Sequence, residues 1–379
     1  MMGSVTQPFS FDTLRRRPDV EAPNLFAVDA SDRLILDEAS AALAVAEPGT
    51  VVVVGDRYGA LTLGAAANSG ARGIRVYQDP LTGEIALAKN AERYGLRDSF
   101  TSLPQDAALF AGATVVLMQM PRTIAELEET ASLIAANADP GVVVFAGARL
   151  KHLTASMSEV LGKQFADVAG SLARQKSRVI VARTPRPTAT GPFPAREFSK
   201  ALGLWIVAHG GAFAGTRLDI GTRFLLAYLP DMKPDAVDAI DLGCGTGILA
   251  AAIAAARPEL RVIATDQSAA AVASARGTVE ANGLSERVSV VRDDLLTAQP
   301  DASCDLILCN PPFHVGAAVH ADGAYGLFEE AARVLRPGGE LWTVFNSALS
   351  HASVLRKMVG KTDVIGQNDK FTVTRSIKR

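Results

Sequence analysis

Cysteine is almost missing from this chain: Cys244, Cys304 and Cys309 are the only three in 379 residues. They are too few, and too apolar in context, for a disulfide framework or a zinc site. They read as buried thiols in a reducing cytosol. An excess of positive charge is missing too. The 38 Lys and Arg against 40 Asp and Glu leave a net charge of -2, which excludes a wholly basic nucleic-acid-binding surface but not a local patch. No apolar run approaches transmembrane length; residues 249–256 are alanine-rich and short. Residues 1–17 are polar, end in Arg15-Arg16-Arg17 and have no apolar signal core. These absences predict a cytoplasmic protein with no membrane partner and no metal. What is present is core-forming material: 48% of residues are hydrophobic, and the length suits two domains of ordinary size.

The chain repeats itself. Val51-Val52-Val53-Val54-Gly55-Asp56-Arg57-Tyr58-Gly59 is echoed by Ala239-Ile240-Asp241-Leu242-Gly243-Cys244-Gly245-Thr246-Gly247. Each is an apolar strand, a glycine turn and a helix start. Strands ending in Asp follow, Val76-Tyr77-Gln78-Asp79 and Ile263-Ala264-Thr265-Asp266, each leading into an alanine-rich helix. Further echoes keep this order to the end of the chain. Strands alternating with helices imply mostly parallel sheets covered on both faces. The predicted fold is α/β: two tandem Rossmann-like domains, residues 1–186 and 200–379. A Pro-rich, basic linker over 187–199 joins them.

The copies differ where chemistry would sit. Arg57 replaces the middle glycine in the first, where a side chain should block approach of a ligand to the backbone. The segment Asn310-Pro311-Pro312-Phe313-His314 is echoed by Met120-Pro121-Arg122-Thr123, which has lost the amide. The first copy thus reads as a degenerate duplicate, kept for structure or substrate recognition.

In the second copy, two successive prolines cannot continue the strand that ends at Cys309, so the chain leaves the sheet at Asn310. Ligands of open α/β sheets bind at such strand ends. An amide, a proline-rigid backbone and an aromatic ring suit a planar amine such as a nucleobase. The turn Gly243-x-Gly245-x-Gly247 differs from the Gly-x-Gly-x-x-Gly of dinucleotide enzymes. Asp241 precedes it, suited to an ammonium rather than a pyrophosphate, and Asp266 is placed for ribose hydroxyls. S-adenosylmethionine (SAM) carries an ammonium and no phosphate. Of Asp293 and Asp294, which end the next strand, Asp294 is the candidate for the adenine amino group.

Asp241-x-Gly243-x-Gly245-x-Gly247 with Asn310-Pro311-Pro312-Phe313 resembles the class I SAM-dependent methyltransferases that act on planar nitrogens. His314 and the stretch from Phe213 to Thr222 narrow the resemblance to ribosomal RNA guanine-N2 methyltransferases of the small-subunit methyltransferase C type and their large-subunit relatives. That family pairs a degenerate N-terminal domain with an active C-terminal one. The resemblance implies SAM as cofactor and ribosomal RNA or a ribosomal subunit as partner. It places Asn310, Pro311 and Phe313 in catalysis and Asp241, Gly243, Gly245, Gly247, Asp266, Asp294 and Asn310 at the cofactor. Pro312, Phe313 and His314 fall at the substrate. His314 could equally touch the base, touch a phosphate or cap its loop. Phe213 and Arg217 could cover the cofactor, hold substrate, or be a packed aromatic and a surface charge.

Asn-Pro-Pro with an aromatic also occurs in DNA adenine and protein glutamine methyltransferases, which usually lack the duplicate. A non-catalytic RNA-binding or assembly factor would not need Gly243, Gly245, Gly247, Asp266 and Asn310 intact, and a nicotinamide oxidoreductase would leave Asn310-Pro311-Pro312-Phe313 unexplained. Basic residues at 15–17, at 174–200 and near the C-terminus could meet RNA phosphates or be solvated chain. Tandem copies could satisfy each other's interface, so a monomer is expected.

Overall fold

A computed structural model of the chain describes residues 8–186, 191–311, 320–349 and 351–379. It divides into two compact units, Met1–Phe193 and Pro194–Arg379. In the first, β1 (Val51–Val54), β2 (Ile74–Tyr77), β3 (Phe100–Ser102), β4 (Val115–Gln119) and β5 (Val143–Arg149) pair in parallel. The antiparallel β6 (Phe165–Gly170) and β7 (Ser177–Pro185) complete the order β3-β2-β1-β4-β5-β7-β6. A hairpin of β8 (Ala195–Ser199) and β9 (Leu204–Ala208) opens the second unit. Its main sheet is built from β10 (Asp238–Leu242), β11 (Arg261–Asp266), β12 (Val288–Arg292), β13 (Cys304–Cys309), β14 (Leu335–Asn346), β15 (Gly360–Gln367) and β16 (Phe371–Lys378). The order β12-β11-β10-β13-β14-β16-β15 reproduces the first sheet position by position. The two tandem Rossmann-like units expected from the repeat are present.

The central strands are apolar on both faces because both are covered. Leu306 and Leu308 of β13 join one hydrophobic cluster of the second unit, while Ile307 and Cys309 join the other. All three cysteines are buried and unpaired. Burial pushes the Cys304 thiol up to about 12, so it packs as a neutral group.

The region 187–199, read as a linker, contains structure at its C-terminal end. Ala195–Ser199 is β8, paired with β9. β9 lies along the helix Ala269–Ala281 and is tied to it by side chains: Trp205 N–H donates to Asn282 Oδ1 (2.9 Å), Val207 N–H to Thr278 Oγ1 (3.0 Å) and His209 N–H to Ser274 Oγ (2.9 Å). Two strand residues advance about 6.6 Å and four helix residues about 6 Å, so the two periods match. The strand's outer N–H groups are thereby satisfied without a third strand.

Candidate functional site

Four adjacent strand ends carry most of the expected site. In the order β12, β11, β10, β13, they present Asp294 just beyond the first, Asp266, the turn Gly243–Gly247, and Asn310. Neighbouring strands lie about 4.8 Å apart, so the row spans roughly 14 Å. The strand order reverses direction between β10 and β13, which is where open α/β sheets leave a crevice.

The glycine turn is built for close approach. Gly243, Gly245 and Gly247 have φ of 74°, 53° and 76°, values that cost other residues strain. A Cβ on Gly243 or Gly245 would meet nothing within 4 Å, so their absent side chains leave room for a ligand. Asp266 braces the turn: Oδ2 accepts from Gly245 N–H (3.0 Å) and Oδ1 from Ser268 N–H (2.9 Å).

Asp241 is wholly buried. Its Oδ2 accepts from Ala250 N–H (2.9 Å), one of the unpaired donors at the start of the helix Ile248–Ala256. Oδ1 has no hydrogen-bond partner among the described residues. Burial, aided by the neighbouring Asp266 charge, pushes its carboxyl up from 3.8 to about 7. A buried oxygen with a spare lone pair, beside a second acid, is an electrostatic vacancy that a cation relieves.

Asp293 is occupied by its own turn: Oδ1 accepts from Thr297 Oγ1 (2.7 Å) and Oδ2 from Ala298 N–H (3.0 Å). Asp294 is half-buried. Asn310 is also half-buried. Its Nδ2 donates to Thr222 Oγ1 (2.9 Å) and Asp219 Oδ2 (3.2 Å). Asp219 caps the helix Ile220–Leu226, its Oδ2 accepting from Gly221 and Thr222 N–H. Sequence reading did not join this segment to Asn310, which lies 91 residues from Asp219. Pro311 is buried. Pro312, Phe313 and His314 lie outside the described residues. Phe213 and Arg217 are exposed.

Strand register corrects two correspondences between the copies. Val54 pairs with Tyr77 and Met118, as Leu242 pairs with Thr265 and Cys309. The residue matching Asp266 is therefore Gln78, not Asp79, and the residue matching Asn310 is Gln119, not Met120. The first copy has kept an amide at that strand end. Its Nε2 is bound to Asp32 and donates to Ser31 Oγ (3.1 Å), so the helix start holds the amide by its nitrogen. Arg57 holds the middle turn position at φ 60°, so the turn survives without its glycine. Asp56 accepts from Leu61 and Thr62 N–H with one oxygen each, the helix-start role that Asp241 plays with one oxygen to spare.

Several basic residues proposed for RNA are engaged by acids. Arg174 meets Asp37 and Glu38, Arg183 meets Asp167, and Arg375 meets Asp363. Arg16 and Arg17 meet Asp19 and Glu21. Among the described residues, no helix is long and apolar enough to cross a membrane and no His/Cys/Asp/Glu group could hold a metal.

Comparison with known proteins agrees with this arrangement. Residues 203–375 match the Methyltransferase small domain family, and residues 2–186 match the RLMG N-terminal domain family. The chain is 35% identical to a ribosomal RNA large subunit methyltransferase G of Streptomyces coelicolor, over 99% of this chain and 100% of that one. It is 34% identical to the Pseudomonas aeruginosa protein of the same name, over 98% of each. A solved structure of a T. thermophilus 16S rRNA guanine N2 methyltransferase, in complex with AdoMet and guanosine, shares the fold with TM-score 0.74. It is 21% identical, covering 93% of this chain and 92% of that one. Two domains matched in tandem and relatives aligned from end to end place this chain in the ribosomal RNA large subunit methyltransferase G family.

Proposed function

We propose that the second unit transfers a methyl group from SAM to the exocyclic N2 amine of a guanine in large-subunit ribosomal RNA. The observation that carries this reading is the row of strand ends: a braced glycine turn with two acids beside it, and at its far end an amide whose nitrogen is held and whose oxygen has no partner among the described residues. SAM supplies a methyl group on a cationic sulfonium. Asp241 Oδ1 receives the cofactor's ammonium, Asp266 the ribose hydroxyls and Asp294 the adenine amino group; the backbone of Gly243–Gly247 lies against the methionyl portion. The spacing of about 14 Å between outer strand ends fits a nucleoside joined to an amino acid.

At the other end, Asn310 Oδ1 and the Pro311 carbonyl each accept one N–H of the guanine amine. That lone pair is delocalised into the ring. Holding both hydrogens directs it out of the ring plane toward the methyl carbon, and such positioning supplies much of a barrier reduction. The new N–C bond forms as the C–S bond breaks, the sulfur keeps the electron pair, and the nitrogen gives its proton to solvent. A paired guanine must leave its stack to reach this place, so the substrate is flipped or unfolded RNA. The large subunit is favoured by the names of the full-length relatives. The first unit does not bind SAM: Arg57 and Gln78 stand where Gly245 and Asp266 stand in the second. It serves as scaffold or RNA-recognition surface, and the protein acts in the cytoplasm as a monomer.

The test is Asn310→Ala with labelled SAM and ribosomal RNA. SAM binding should persist while transfer falls by about 10²–10³. Near-normal turnover would remove the amide from the mechanism.

A further inference from the structure

The proposed function needs Asn310 to present its oxygen, but an amide side chain can turn either end outward. With Oδ1 toward the substrate it accepts an amine hydrogen; with Nδ2 outward, donor would face donor. We infer that Asp219 and Thr222 are positioning residues that fix this choice, an inference that rests on the reading of Asn310 given above.

A carboxylate can only accept, so the Asn310 group facing Asp219 Oδ2 at 3.2 Å is the NH₂. Thr222 Oγ1 accepts from the same nitrogen at 2.9 Å. Both Nδ2 hydrogens are thereby consumed. Asp219 is itself immobilised as the helix cap, its Oδ2 taking Gly221 N–H at 2.9 Å and Thr222 N–H at 3.2 Å. Cap and clamp share one oxygen, so the first turn of a helix sets the orientation of a side chain on a distant strand. The space between them is tight: a Cβ on Gly221 would lie 3.1 Å from Asp219 Oδ2, 3.3 Å from the Phe371 ring and 3.5 Å from Asn310 Nδ2.

The first unit supplies an independent instance. Asp29 caps the helix Ala30–Ala44 as Asp219 caps Ile220–Leu226, so Ser31 and Asp32 stand where Gly221 and Thr222 stand. Gln119 Nε2, at the Asn310 position, is bound to Asp32. The amide has changed length and its partner has changed type, yet helix start and strand end remain joined through the amide nitrogen. Ser31 Oγ, at the place where Gly221 has no side chain, also accepts from Gln119 Nε2 (3.1 Å). In both units the amide nitrogen is the end that the helix start holds.

Thr222→Val keeps the side chain's shape and removes one of the two ties. Its kcat for methyl transfer should fall about tenfold, the size of one hydrogen bond, with RNA KM and SAM Kd within about twofold of wild type. Thr222→Ser should restore kcat. Should Thr222→Val not fold, Asp219→Ser keeps a capping hydroxyl for Gly221 and Thr222 but is one bond shorter toward Asn310, and the same loss of kcat is expected. Wild-type kcat in the folded variants, while Asn310→Ala is inactive, overturns the clamp and leaves the role of Asn310 intact. A loss carried by KM or SAM affinity alone also overturns it. Full activity of Asn310→Ala overturns both readings together.

Discussion

Replacing Asp241 with Asn should make the second unit more stable and less able to bind SAM. Asp241 is wholly buried, and its pKa stands at about 7 against an ordinary 3.8. Because the folded value is the higher one, the ionised carboxylate costs stability. That cost is absent below pH 3.8, grows from there to about pH 7 and is complete above it. At 1.36 kcal/mol per pH unit it amounts to about 4 kcal/mol. Asn can still accept from Ala250 N–H. It also places an NH₂ where Oδ1 has no partner, at a cost of about 1–3 kcal/mol. The net gain above pH 7 is then about 1–3 kcal/mol, or several degrees in the melting temperature of a unit of this size. Near pH 5 the gain should shrink or reverse. Binding moves the other way. Loss of the charge-assisted bond to an ammonium weakens SAM by about 1.5–3 kcal/mol, roughly 10- to 150-fold. Wild-type affinity should fall about tenfold from pH 8 to pH 6 as Asp241 takes up a proton, and the variant should show no such dependence. Thermal unfolding and titration calorimetry at pH 5, 6 and 8 measure both arms. An Asp241→Asn protein that melts below wild type at pH 8, or binds SAM as tightly, would refute the assignment of the spare oxygen to the ammonium.

The remaining expectations concern stoichiometry and the hairpin. Calorimetry should find one SAM per chain, abolished by Gly245→Arg; a second site would contradict the reading of the first unit as a non-binding copy. Thr278→Val removes the side-chain partner of Val207 N–H and C=O, both buried with it. It should destabilise the second unit by about 1–3 kcal/mol in urea unfolding. An unchanged midpoint would mean that the hairpin does not depend on that helix.

Much of this architecture is legible in the sequence, because glycine turns, buried apolar strands and ordered repeats are local signals. Matching the copies residue by residue was not. Pro121 and Asp79 look like Pro311 and Asp266, and a match by residue type shifts each strand end by one. Backbone pairing, which fixes Met118 and Cys309 as equivalent, is needed to see that Gln119 stands for Asn310. The β8 strand was hidden for another reason. Arg196, Glu197 and Phe198 are all exposed on an edge, so no apolar alternation marks them. Asp219 carried the plain signal of a helix cap. Nothing local says that the same oxygen holds an amide 91 residues away.

The central claim is most directly tested by where the methyl group goes. Labelled SAM is supplied to the full chain together with naked ribosomal RNA, separated small and large subunits, DNA and a protein extract, and the modified component is digested and identified by mass. The account predicts N2-methylguanosine in large-subunit ribosomal RNA. Label on adenine in DNA or on glutamine in protein would contradict it.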